Sequence, residues 1–141
     1  LHRTPIGGRN FECMSEDPVL TAHMAVAYVK GVQSQRVAAR IKHFVANDTE
    51  FERMTISSEV DERTLRELYL VPFEAAVRPL DEGGADVRSI MSSYNRVNGC
   101  FVPDDPGLMR TVVREADQNV GSYATVAQPG ELCVGDPVEL L

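Results

Sequence analysis

Two strand-like runs, 37–46 and 87–94, constrain this chain more than anything else in it. The first carries Val37, Ala38, Ala39 and Ile41 and breaks into Lys42-His43-Phe44, then Asn47-Asp48. The second carries Val87, Ile90 and Met91 and breaks into Tyr94-Asn95. A loop and a helical stretch separate them. Strand, loop, helix, strand, with apolar strands, is the pattern of a parallel sheet with covering helices. Buried strands do not usually end in adjacent cationic and imidazole groups unless those groups face something polar. Where parallel strands close into a barrel, their C-terminal ends form the ligand site. Lys42 and His43 therefore point to a pocket for a polar small molecule.

Local signals fill in the rest. Asp17 caps a helix and Pro18 suits its first position. The helix is expected from about 18 to 30, with Leu20, Met24, Ala27 and Tyr28 on its apolar face and Gly31 ending it. Residues 47–60 read as a polar loop. Asp61 caps a second helix, with Leu65, Leu68 and Tyr69 on one face. Pro72 interrupts it, and a helical segment restarts over 72–77. Residues 81–84 read as a loop, Asn98-Gly99 as a turn, and 104–115 as a third helix. The tail differs: 122–127, 132–134 and 138–141 read as short strands set between Pro129-Gly130 and Gly135-Asp136 turns. The 141 residues suffice for one domain with a core. They hold too few units for an eight-stranded barrel, which takes about 250 residues.

Charge and composition exclude several classes. The net charge of −7 argues against a nucleic-acid binder, which needs a basic face. All 14 bases lie in residues 1–114, whereas 115–141 hold five acids and no base, a shift that marks a junction between unlike segments. No apolar run approaches the roughly 18 residues of a membrane span, so no membrane partner is expected. Cys13, Cys100 and Cys133 have neither disulfide-framework nor zinc spacing. The chain opens on Leu1 without a signal-like segment. The expectation is a missing N-terminus and a cytoplasmic location, with room for a leader ahead of Leu1. The oligomeric state is left open.

Four side chains are candidates for binding. Arg9, beside Gly7-Gly8, has a guanidinium able to fork two hydrogen bonds to vicinal hydroxyls or a carboxylate; the competing reading pairs it with Glu12 or Glu16. Lys42 and His43 suit sugar or anion recognition, against a solvated lysine and a histidine satisfied by backbone. Tyr94, with Asn95, repeats the polar strand end, against a tyrosine closing a rim. Glu50-Phe51-Glu52-Arg53 is acidic enough for paired-carboxylate chemistry, but a solvated loop is the favoured reading. Asn47-Asp48-Thr49 matches the N-glycosylation pattern, which is common by chance. His2, His23 and His43 are scattered and make no metal site.

A larger pattern joins these pieces. Arg3-Thr4-Pro5, Gly7-Gly8-Arg9-Asn10-Phe11-Glu12, Ser15-Glu16-Asp17-Pro18, Gly31-Val32-Gln33, Lys42-His43-Phe44, Asn47-Asp48, Asp61 to Glu67 and Met91-Ser92-Ser93-Tyr94-Asn95 occur in that order. Together they resemble the N-terminal barrel of family 3 glycoside hydrolases, the β-glucosidase-like enzymes, over residues 1–115. The resemblance implies an α/β fold, a partial (β/α)8 TIM-like barrel of two to three βα units. It implies a β-linked glucoside or related glycoside as substrate, hydrolysed with retention through a covalent glycosyl-enzyme. Arg9, Lys42 and His43 match the family's sugar-binding residues, and Tyr94 matches the aromatic beside the nucleophile. No metal or organic cofactor is implied.

The departures are as informative. The family nucleophile is an Asp in a Ser-Asp-Trp setting, and this chain has no Trp. Asp136 lies in a turn, and no general acid is identifiable, so no catalytic residue is assigned and the chain alone is expected to be inactive. Residues 118–141, with Pro129-Gly130 and Val134-Gly135-Asp136-Pro137-Val138, resemble the end of a molybdenum-cofactor-sulfurase C-terminal (MOSC) domain. The expected organisation is an incomplete glycoside hydrolase barrel over 1–115 and a β-hairpin tail over 116–141, joined as a chimera. The alternative is a MOSC-like module binding molybdenum or sulfur-carrier compounds.

Overall fold

The computed structural model describes residues 1–104. Beyond Asp104, which closes a short 3-10 turn, the third helix expected over 104–115 and the whole β tail, with its MOSC-like reading, lie outside the described residues. Helix α1 spans Pro18–Gln33. Asp17 Oδ1 accepts from the Val19 and Leu20 amides at 2.7 and 3.2 Å, satisfying donors that the first turn leaves free. Gly31 does not end the helix as expected; the Ser34 amide still reaches the Lys30 carbonyl at 2.9 Å. The buried face also differs. Ala22 and Val29 are buried, and Val26 and Val32 pack on the core, whereas Leu20, Met24 and Tyr28 are exposed. Both stripes have helical spacing. The smaller side chains permit close packing on the helical segment Val71–Val77 and face the core.

Strand β1 (Arg40–Phe44) pairs in parallel with β3 (Ser89–Ser92), with Ile41 opposite Ile90. The expected parallel pair is therefore present, in shorter form. The run expected as a buried strand is not fully buried: Val37 is exposed and Ile41 half-buried, while Ala39, Phe44, Val45 and Ala46 are buried. Among the described residues the other edge of β1 has no strand partner, which leaves this flank open. The register shifts between Lys42 and Phe44, and the Lys42–His43 and Phe44–Val45 peptides are cis.

The second helical stretch starts at α2 (Glu62–Thr64), where Asp61 Oδ1 accepts from the Thr64 amide at 3.0 Å. It widens into a π-turn over Leu65–Tyr69 and resumes as α3 (Val71–Val77), with Pro72 in the first turn, where it interrupts least. Leu65 and Tyr69 are buried and Leu68 packs against the core, as their spacing predicts. A second small sheet joins β2 (Ser57–Ser58) in parallel to β4 (Arg96–Val97), which pairs antiparallel with β5 (Cys100–Phe101). Asn98 (φ 50°) and Gly99 (φ 83°) make the tight turn between the last two, both in the left-handed region that such hairpins need. Phe44 and Phe73 meet edge to face at 5.0 Å, joining sheet to helix.

Candidate functional site

The site forms where the C-terminal end of β1 meets two loops. Gly7 holds the loops together. Its carbonyl accepts from the Glu50 amide at 3.0 Å, and a Cβ at this position would lie 2.4 Å from the Asp48 carbonyl oxygen. Only glycine permits that approach. Arg9 follows in the left-handed region (φ 51°, ψ 25°), and a single 3-10 turn over Asn10–Glu12 folds Glu12 back towards it.

A line of alternating charge results. Lys42 Nζ lies 2.6 Å from Glu12 Oε2, and Arg9 Nε lies 2.5 Å from Glu12 Oε1. Arg9 Nη1 is 3.8 Å from Glu50 Oε1. Glu50 Oε2 takes Arg53 Nη1 at 2.6 Å, and Glu50 Oε1 accepts from Asn47 Nδ2 at 3.3 Å. The Arg53 guanidinium then lies 5.6 Å from the Tyr94 ring centroid, within cation–π range. The Lys42 and Arg9 contacts hold the Glu12 carboxyl below the usual carboxylate range. Burial, with Lys42 and Arg9 nearby, pushes the His43 imidazole down, so it is neutral at neutral pH and can both donate and accept.

Lys42, His43, Glu12, Asn47 and Asp48 form the polar end of a cavity of about 750 Å3, within the usual size of small-molecule sites. Its other end runs between α1 and β1 past Tyr28, Val29 and Val32. Arg9 and Tyr94 do not line it; Arg9 joins it through Glu12, and Tyr94 through Arg53 and Glu50. Asp48 is fixed from behind. Tyr69 donates to Asp48 Oδ2, and Arg3 Nε donates to the Tyr69 oxygen at 3.2 Å. Burial, then the Asp48 contact, raises the Tyr69 hydroxyl.

Of the sequence candidates, the structure brings Lys42, His43 and Arg9 together and sets Tyr94 at the far end of the same line. Arg9 does pair with Glu12, the partner named in its competing reading; Lys42 also pairs with that carboxylate. The favoured solvated-loop reading is corrected for Glu50, which lies between Arg9 and Arg53. Arg53, expected only as part of the Glu50–Arg53 loop, and Tyr69, expected only on an apolar helix face, instead hold Glu50 and Asp48; neither role has a signal in local spacing. Asn47, the first residue of the glycosylation pattern, has its Nδ2 engaged by Glu50 and its Oδ1 buried without a partner among the described residues. Among those residues no group of three or more His, Cys, Asp or Glu is placed to hold a metal ion.

The profile of the glycosyl hydrolase family 3 N terminal domain matches residues 1–120. A beta-glucosidase of Rhizobium radiobacter is 60% identical over 115 residues, which are 82% of this chain and 13% of that protein. The thermostable beta-glucosidase B of Acetivibrio thermocellus is 45% identical over 114 residues, 81% of this chain and 14% of the relative. Beta-glucosidase 3B from Thermotoga neapolitana, solved in complex with glucose, superposes with a TM-score of 0.76 at 48% identity, over 85% of this chain and 16% of that one. This likeness bears out the expected partial (β/α)8 architecture. The chain thus spans about an eighth of the length of the curated relatives it matches. These matches give the MOSC-like reading of the tail no support.

Proposed function

We propose, from the premise that this chain belongs to glycosyl hydrolase family 3, that it carries the sugar-holding wall of a β-glucosidase site. Arg9, Lys42 and His43 would bind the hydroxyls of a glucoside or related glycoside, with Tyr94 bounding the site beyond Arg53. Residues 1–115 would form the incomplete barrel domain, and 116–141 a separate tail. The observation that carries the reading is the meeting of Lys42 and His43 at a parallel strand end, on a cavity, beside a guanidinium. Cations and a neutral imidazole supply donors and an acceptor to hydroxyls. In a retaining hydrolase such donors tighten as oxocarbenium-like charge develops.

The same geometry argues against turnover by this chain alone. Retention needs one carboxyl able to give a proton and a second placed about 5–5.5 Å away as nucleophile. Glu12 is held ionised by two cations, which unfits it as the acid. Glu50 is committed to Arg53 and Asn47. Glucose should therefore perturb the Lys42 and His43 resonances in an NMR titration of the 141-residue chain, with a response lost in Lys42→Ala, while an aryl β-glucoside is not hydrolysed. Aryl glucoside turnover that Lys42→Ala abolishes would overturn the inactive reading. An unchanged glucose response in Lys42→Ala would remove Lys42 from the site.

A further inference from the structure

We propose that Glu12 is the positioning residue of this site: its carboxylate bridges Arg9 and Lys42 and fixes their spacing, so that the two donors engage neighbouring hydroxyls as a unit. The inference rests on the sugar-site reading above. Each carboxylate oxygen takes a different cation, Oε1 the Arg9 Nε at 2.5 Å and Oε2 the Lys42 Nζ at 2.6 Å. The two cations reach it from separate segments, one from the loop after Gly8 and the other from β1. Both side chains are long and rotamer-rich, and without a common partner each samples several staggered wells. The backbone is arranged for the bridge. The Glu12 amide donates to the Arg9 carbonyl at 3.1 Å, closing the short turn that aims the carboxylate back. Glu50 is the poorer partner of Arg9, at 3.8 Å, and its other oxygen takes Arg53 at 2.6 Å. Glu12 lines the cavity, so the bridge lies at the place where a ligand would be read. Pre-set donors cost a ligand less ordering than mobile ones.

The test compares the 141-residue chain with its Glu12→Gln and Glu12→Asp variants. Two readouts need no sugar: solvent exchange of the Arg9 Nε–H in 15N-resolved NMR, and the rate of reductive methylation at Lys42. A third is a glucose titration. In Glu12→Gln the Arg9 Nε–H should exchange faster, Lys42 should react faster, and glucose affinity should fall about tenfold. Glu12→Asp keeps the charge but is one methylene shorter, so it meets one cation at a time and should not restore affinity. Thermal unfolding of each variant establishes that the fold is intact. The proposal is overturned if Glu12→Gln leaves the sugar-free readouts unchanged. It is equally overturned if Glu12→Asp restores all three, since local charge rather than the bridge would then suffice. A wild-type chain that ignores glucose would defeat the sugar-site reading, and the two sugar-free readouts would still decide the bridge.

Discussion

The two strand ends look alike in sequence, yet the structure uses them in opposite ways. At the end of β1, Lys42 and His43 turn towards a cavity and the charged groups around it. At the end of β3, Tyr94 meets Arg53, but its neighbours Ser93 and Asn95 turn inward to the backbone. Ser93 Oγ accepts from the Val45 amide at 3.1 Å and donates to the Val45 carbonyl at 3.0 Å. Asn95 is fully buried, and its Nδ2 lies 3.2 Å from both the Val45 and Ala46 carbonyls and 3.0 Å from that of Arg96. Ser93 and Asn95 hold β1's exit in place; Lys42 and His43 use it. A polar residue at a strand end therefore signals either a ligand or an unpaired backbone that needs a partner.

This contrast predicts a split between stability and binding. The largest expected effect is at Asn95. Asn95→Ala removes the donor from buried carbonyls and leaves a void, costing about 3 kcal/mol of stability in urea unfolding. Ser93→Ala removes a hydroxyl that serves both groups of Val45 and should cost about 1–2 kcal/mol. Lys42→Ala, at a partly exposed ion pair, should cost under about 1 kcal/mol while weakening glucose binding. If Lys42→Ala destabilises the chain as much as Asn95→Ala, the two strand ends do not differ and the comparison fails.

Local chemistry was legible in the sequence wherever a short segment decides its own shape. Asp17 with Pro18, Asp61, and Asn98 with Gly99 each satisfy or bend the backbone within a few residues, and all three behave as their types predict. The strand pair was legible because apolar runs of that length have few other places to go. The buried face of α1 was not. Two stripes share the same period, and only the neighbouring α3 chooses between them. The roles of Glu12 and Glu50 were hidden for a related reason. The Arg9–Glu12 pair is local and was legible, but Lys42 is distant in sequence from Glu12 and Arg9 from Glu50, and the approach of the Gly7 loop to Asp48 brings these within reach. Asn95 and Lys42 both lie at the polar end of a strand-like run, and only the fold context buries the first and leaves the second accessible.

The smallest expected effect separates two titratable groups of the site, His43 and Glu12, by pH. His43 has a folded-state pKa below its ordinary value, first because it is buried and then because Lys42 and Arg9 repel its charged form; Glu12 and Glu50 oppose this in part. The unfolded imidazole titrates near about 6.5. Between that value and the lower folded one, the unfolded chain binds more protons. The contribution of neutral His43 is therefore complete above about 6.5 and is lost as pH falls through this window. Glu12 acts in the same direction but lower: its depressed folded pKa keeps its contribution intact until the pH falls through the carboxylate range. Urea unfolding at pH about 7.5 and about 5.5 should show wild type losing stability between them and His43→Gln losing less, because Gln carries no proton to take up. Equal losses in the two chains would mean that His43 is solvated like any surface histidine, and the cavity end of β1 would then be no more enclosed than the rest of its open edge.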